Sequence, residues 1–260
     1  MTNKYAILGS DPELFLVDHF GDLRSAIGLI GGSKKHPRPV LDKPGFAVQE
    51  DNVALEFNIP PSKSREDFIN NLSVMLEFLE NEVRGLGLIL AIKPSAYFPQ
   101  EQLQSEQAKA FGCDADFNAW TMEQNPKPVC NDDTFRTCGG HVHFNTKLPV
   151  VQVVRAMDLF LGVPSVLLDT DTERRKLYGS AGCYRFTTYG GEYRTLSNFW
   201  LADQKLMGWC WDKTQEAIQY TADNVELDDD DFLIDHAELI QQCINTSDRK
   251  LAKELMNESF

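Results

Sequence analysis

Polar and apolar positions alternate with period two through residues 51–60. Val53, Leu55, Phe57 and Ile59 fall on one side, Ala54, Glu56 and Asn58 on the other. Successive side chains of a strand point to opposite faces, so this stretch predicts a half-buried strand with Glu56 on its open face. Tyr5-Ala6-Ile7-Leu8 and Leu14-Phe15-Leu16-Val17 predict a first strand split at Asp11-Pro12, and His19-Phe20-Gly21-Asp22 a turn into the next. Leu88-Ile89-Leu90-Ala91-Ile92 predicts another strand. Helical spacing takes over at Phe68, Leu72, Met75, Leu76 and Leu79. Ser64, followed by Glu66 and Asp67, supplies a capping pattern, and Gly85 and Gly87 supply the stop. Residues 149–168 and 201–220 predict two more helices, the second with Leu206, Met207, Trp209, Ala217 and Ile218 as its core face. The acidic run at 228–231 reads as a solvated linker or helix start, and residues 232–256 as two short helices.

Separate strands followed by long helices predict an α+β fold: a curved, mostly antiparallel sheet with helices packed on one face and the active site on the other. The whole of 1–260 is expected to form one catalytic domain. Within it, residues 97–135 lack clear periodicity and carry Pro99, Gly112, Pro126 and Pro128 among Phe98, Phe111, Phe117 and Trp120. They read either as a lid or substrate-binding excursion, or as a helix-and-turn excursion that closes the core. The basic, glycine-rich stretch at Gly31-Gly32-Ser33-Lys34-Lys35 reads as a solvated turn in preference to a phosphate contact.

Composition narrows the function classes. With 260 residues, 42% hydrophobic and 25% charged, the chain can bury a substantial core. Its net charge of -14 argues against broad nucleic-acid binding. Gln152, Arg155 and Asp158 within 149–168 argue for a buried helix over a membrane span. The six cysteines form no CxxC pair, and no apolar run follows Met1, so reduced thiols and a cytoplasmic setting are expected. A homo-oligomer is left open.

The chemistry lies in three short motifs: Asp11-Pro12-Glu13, His141-Val142-His143 and Glu192-Tyr193-Arg194. Each puts two polar side chains on one face of a strand. Together with Glu56 they could aim carboxylates, imidazoles and a guanidinium at a common space. Hard divalent cations take oxygen ligands, Mn²⁺ accepts imidazole as well, and arginine offers a fork of donors to phosphate oxygens. Arg174, Arg175, Arg185 and Arg194 cluster in the same part of the sequence. A zinc hydrolase also begins from a histidine pair, but His19, His36 and His236 stand in no recognisable third-ligand setting.

On these residues the chain resembles the carboxylate–amine ligases of the glutamine synthetase and glutamate–cysteine ligase superfamily, and more narrowly the phage-associated COOH–NH2 ligase type 2 family. The matching segments are Gly9-Ser10-Asp11-Pro12-Glu13-Leu14-Phe15, Ala54-Leu55-Glu56-Phe57-Asn58, Cys138-Gly139-Gly140-His141-Val142-His143, Tyr178-Gly179-Ser180-Ala181-Gly182-Cys183-Tyr184-Arg185 and Gly191-Glu192-Tyr193-Arg194-Thr195-Leu196-Ser197. The resemblance implies a glutamine synthetase-like fold holding ATP with Mg²⁺ or Mn²⁺. By the same resemblance, Asp11, Glu13, Glu56, His141 and Glu192 are expected to bind metal. His143, Arg185 and Arg194 are expected to contact the nucleotide, and Arg185, Arg194 and Glu192 to serve catalysis. The first acidic position is Asp11 where many relatives carry Glu, which shortens its reach. The implied reaction is ATP-dependent amide formation through an acyl phosphate, from small-molecule or peptide carboxylate and amine substrates. It would run in the host cytoplasm if the gene is phage-borne. The rivals are a guanidino-kinase-like phosphotransferase on the same fold and a non-catalytic nucleotide-binding protein.

Overall fold

A computed structural model describes residues 6–109, 116–224 and 232–259. The chain opens with β1 (Leu8–Ser10) and β2 (Glu13–Asp18), the two halves of one strand broken at Asp11-Pro12. Proline has no N–H to give to a ladder, so pairing changes partner there. After the turn at 19–22 come β3 (Leu23–Arg24), β4 (Arg38–Pro39), β5 (Ala47–Asp51) and β6 (Ala54–Asn58). The strand predicted over 51–60 is therefore shorter. Asp51 closes β5, and Asn52, at φ 55°, turns the chain into β6. Asparagine tolerates this left-handed geometry better than most residues. Helix α1 (Arg65–Gly85) follows as predicted: the Ser64 hydroxyl accepts from the Asp67 N–H, and Phe68, Leu72, Met75, Leu79 and Val83 are buried.

Strands β7 (Leu88–Ala91) and β8 (Ser95–Tyr97) lead into the excursion at 97–135. Its described part holds a 3₁₀ turn (Gln100–Leu103), the one-turn helix α2 (Glu106–Lys109) and β9 (Phe117–Asn118), and it ends at β10 (Phe135–Thr137). It is anchored at both ends, because β10 pairs with β8, and β9 joins the edge of a larger sheet. Phe111 and Gly112 lie outside the described residues, as do Tyr5 and the acidic run at 228–231.

After β11 (Val142–Asn145) the predicted helix over 149–168 is interrupted. It runs as α3 (Val150–Met157), a π-helical turn (Asp158–Gly162) and α4 (Val163–Leu168). By length and composition Val150–Leu168 could cross a membrane, but 72% of the window is buried inside the protein. Then come β12 (Cys183–Thr187), β13 (Gly190–Tyr193), α5 (Gln204–Asn224), the one-turn α6 (Phe232–Asp235), α7 (Ala237–Thr246) and α8 (Arg249–Ser259). The two C-terminal helices expected are thus three. The buried face of α5 is also turned from the one predicted: Met207 and Ala217 are in the core, but Cys210 and Trp211, not Trp209, fill its centre.

Every described pairing is antiparallel, and the strands form two main sheets in place of the one expected. One has the order β1-β11-β13-β12-β9. The other has the order β3-β2-β6-β5-β4, with β7 also on β2. They meet along the broken first strand. There Glu13 N–H donates to the Gly139 carbonyl, while Phe57 and Ile59 N–H donate to the Pro12 and Ser10 carbonyls. The rows of opposed residues fix which face is which. Val142 opposes Tyr193, Tyr193 opposes Tyr184, and Leu14 opposes Leu55. With Phe57 and Phe144 these are buried in a core shared with Phe68 and Met75 of α1, Val153 and Met157 of α3 and Trp211 of α5. Helices therefore cover that face, as the alternation requires.

Candidate active site

The alternate rows carry the polar groups. In the first sheet Glu192 stands directly opposite His143 on one side and Arg185 on the other. Gly9 opposes His143 on the next strand, and Asp11, two residues on, leans over both imidazoles. Its Oδ1 lies 3.0 Å from His143 Nε2 and 3.5 Å from His141 Nδ1. His141 Nδ1 is also 3.4 Å from Glu192 Oε1. In the second sheet Glu56 stands opposite Glu13 on β2 and Gln49 on β5. Gln49 Nε2 donates to Glu56 Oε2 at 2.6 Å, and the Gly139 N–H to Glu13 Oε2 at 2.6 Å.

Two sets of three possible metal ligands result: Asp11, His141 and Glu192, and Glu13, Asp51 and Glu56. Within each set one atom per residue lies within 4.8 Å of the others. Every residue expected at the site is brought into or beside these sets. Asp11 and Glu13, expected side by side, belong one to each.

Gly139 shapes the join between the sheets. A Cβ built there would sit 2.3 Å from His141 Nε2, so only glycine lets the imidazole fold back over the chain. The His141 carbonyl is held by the Ser10 hydroxyl at 2.5 Å, and the Glu13 carbonyl by Asn198 Nδ2 at 2.8 Å.

Arginines balance the carboxylates unevenly. Arg194 Nη1 donates to Glu192 Oε1 in a tight ion pair, its Nε lies 3.4 Å from Asp116 Oδ2, and Arg185 Nη1 lies 3.3 Å from Glu192 Oε2. Burial alone would raise the Glu192 carboxyl, but Arg194 and the imidazoles outweigh it and hold it below the usual range. Asp11 behaves likewise: burial opposes ionisation, His143 and then His141 favour it, and the carboxyl ends well below the usual range. His143 is correspondingly raised, Asp11 outweighing burial. In the second set the balance is reversed: burial and Asp51 outweigh His141, the Gly139 N–H and Arg174, which favour ionised Glu13. Burial raises Glu13, and burial together with Asp11, Glu13 and Asp51 raises Glu56 well above the ordinary value.

Residues 133–219 match the family model of the phage phiEco32-like COOH.NH2 ligase-type 2. This is the family the motifs resembled. The matched stretch contains His141, His143, Arg185, Glu192 and Arg194, while Asp11, Glu13 and Glu56 lie outside it. Thirteen solved chains also match. One is a bifunctional glutathione synthetase from Pasteurella multocida, 12% identical, covering 98% of this chain and 49% of that one with a TM-score of 0.47. The chain thus spans about half the length of that protein, and the likeness is too slight to argue from. No curated protein matches.

Several residues of the cleft were not singled out from the sequence. Asp51 and Gln49 needed the β5–β6 hairpin, whose signal is the Asp51-Asn52 turn ahead of the alternating run. Asp116 sits in the irregular stretch, where no period marks it. Tyr189, on the turn between β12 and β13, reaches His143 Nδ1 with its hydroxyl at 2.6 Å. Asp51 and Asp116 line one cleft with Glu13, His141, Arg174 and Arg194.

Proposed function

We propose that this protein is a carboxylate–amine ligase that consumes ATP in the presence of Mg²⁺ or Mn²⁺. The observation that carries the reading is the meeting of two carboxylate-rich sets on the face turned away from α1, α3 and α5, with Arg185 and Arg194 at their rim. The donor set fits a hard divalent cation. It is mostly oxygen with imidazole at one edge, and Asp11 Oδ1 and His143 Nε2 are buried without a well-directed hydrogen bond. Asp11, Glu13, Glu56, His141 and Glu192, with Asp51 beside them, are the residues that would hold it. A bound divalent ion would neutralise phosphate charge and let these carboxylates stay ionised.

The protein's own groups would position and stabilise. Arg185 and Arg194 present donors toward phosphate oxygens as charge moves onto them, and His143, steadied by Tyr189, presents Nε2. The substrate carboxylate is itself the nucleophile. Its oxygen attacks the γ-phosphorus and ADP leaves, giving an acyl phosphate. The amine then attacks the acyl carbon, gives up a proton, and inorganic phosphate departs with the amide formed. On this reading the curved sheet is of the glutamine synthetase kind, residues 97–135 contribute a substrate-binding excursion to a single catalytic domain, and the setting is a host cytoplasm.

The test is a screen for ADP release with Mg²⁺ over pairs of carboxylates and amines, with mass spectrometry of the products. An amide formed one-for-one with ADP supports the proposal. A phosphorylated amine without amide would point to the phosphotransferase instead.

A further inference from the structure

Arg174 is an anomaly of the cleft. It is only 3% exposed, yet it makes no ion pair among the described residues. Two neutral acceptors hold it: Nη1 donates to the Thr195 carbonyl at 2.9 Å and Nη2 to the Arg194 carbonyl at 3.4 Å. Its Nε is buried and has no hydrogen-bond partner. A buried guanidinium is costly unless paired, and an orphaned donor adds to the cost. The fold nevertheless builds a seat for it. Gly179, at φ +77°, passes so close that a Cβ there would lie 2.0 Å from Arg174 Nη1 and 2.6 Å from the Thr195 carbonyl. No other residue type could stand at 179 without displacing the guanidinium. Arg174 and Gly179 line the same cleft as Glu13, Asp51 and His141, a cavity of about 80 Å³. That is room for about five waters or one carboxylate-sized group. It opens beside a larger cavity of about 430 Å³, which Tyr178 and Gly179 also line, together with Asn125 and Lys127.

We propose that Arg174 is the anchor for an anionic group of the substrate, a carboxylate, at the end of the cleft away from Arg185 and Glu192. This deepens the ligase reading and rests on it. The position favours a carboxylate over a nucleotide phosphate. Arg185 and Arg194 already flank Glu192 in the first sheet, whereas Arg174 lies with Gly179 where the small cavity meets the larger one. The preferred substrate therefore carries an oxyanion that Arg174 grips, with the rest of the molecule in the neighbouring cavity.

The experiment follows the arginine Nε–H resonances of ¹⁵N-labelled wild-type protein, assigned through the backbone, so that no variant is required. Formate, succinate and inorganic phosphate are titrated separately, with and without MgADP. The expected result is a saturable downfield shift of the Arg174 Nε–H with formate and succinate that persists when MgADP is bound. The Arg249 signal, whose Nη groups cap α4 carbonyls, should stay fixed. Arg174→Lys, if it folds, should weaken succinate at least about tenfold and leave MgADP affinity within about twofold, because lysine keeps the charge and loses the fork. An Arg174 signal indifferent to every anion, or moved only by phosphate and only without nucleotide, would overturn the proposal. Failure of MgADP to bind at all would instead strike the ligase reading.

Discussion

Glu56 is buried against Gln49 and shares its surroundings with Asp11, Glu13 and Asp51, so both burial and like charge resist its ionisation. Both it and Glu13 are held above the ordinary 4.5 of a glutamate. Between that value and the raised one, the native state binds more protons than the unfolded chain, so stability must fall as pH rises through the window. Asp11 and Glu192 are lowered, and their contribution is present above 3.8 and 4.5 and lost as pH falls. The metal-free protein should therefore lose stability as pH rises above 4.5, with Asp158, pushed up to about 7, and the raised His143 adding to the decline. Glu56→Gln should flatten that decline, and Mn²⁺ should restore the wild type but not the variant. Melting curves in EDTA and in Mn²⁺ read this directly, and an unchanged pH slope in Glu56→Gln would contradict it. On the opposite row, Glu192→Gln should abolish most turnover while the fold survives. Arg194→Lys should lower turnover by on the order of 10- to 1000-fold, comparable to losing one oriented donor. Near-normal ADP release by both folded variants would make β13 structural only. These carboxylates were legible because period two puts alternate residues on one face. Asp51 was not, since what marks it is a partner across the hairpin, and Arg174 was legible only as one of four clustered arginines, not as a buried one that no carboxylate pairs among the described residues.

At the scale of elements, the strands that carry chemistry were easier to read than the helices that support them. Glu192, His143 and Arg185 alternate with apolar residues, so their rows followed from the sequence. The helix over 149–168 is apolar almost all round, and nothing in its spacing marks a π turn. Asp158, noted only as a polar interruption, proves to be the fixed point of that turn. Its Oδ2 accepts from Trp120 Nε1 and its Oδ1 from the Tyr193 hydroxyl, both at 2.7 Å, which ties the 97–135 excursion to β13. Burial, against those donors, pushes this carboxyl up to about 7. Asp158→Ala would strand the Trp120 and Tyr193 donors and should destabilise the protein by about 2–4 kcal/mol in urea denaturation, with Asp158→Asn milder. A loss within error for the alanine variant would show that the tie is unimportant. α5 was misread for a related reason. Its tryptophans, Trp209 and Trp211, sit two apart, and which of them turns inward depends on where Phe68, itself stacked on Trp200, waits to receive it.

For the whole molecule, sequence reasoning reached an antiparallel α+β fold with helices on one face and the polar rows on the other, but that other face is not open as expected: Glu56 is buried, and Phe15, Ala54, Phe98, Leu103 and Ala108 close a second core there. The break at Asp11-Pro12, which divides the strands between two sheets, was not foreseen either. That division is what makes the cleft, since one sheet brings His141 and Glu192, the other brings Glu56, and the broken strand gives Asp11 to the first set and Glu13 to the second. A net charge of -14 and this many clustered carboxylates should repel a polyphosphate unless a cation intervenes. Titrating ATP into the protein in a calorimeter, once with Mg²⁺ and once in EDTA, therefore decides whether a cation completes the site. Binding should be saturable with Mg²⁺ and weaker by at least about tenfold in EDTA, a difference of about 1.4 kcal/mol or more. Equal affinity in the two buffers, or no binding in either, would contradict it.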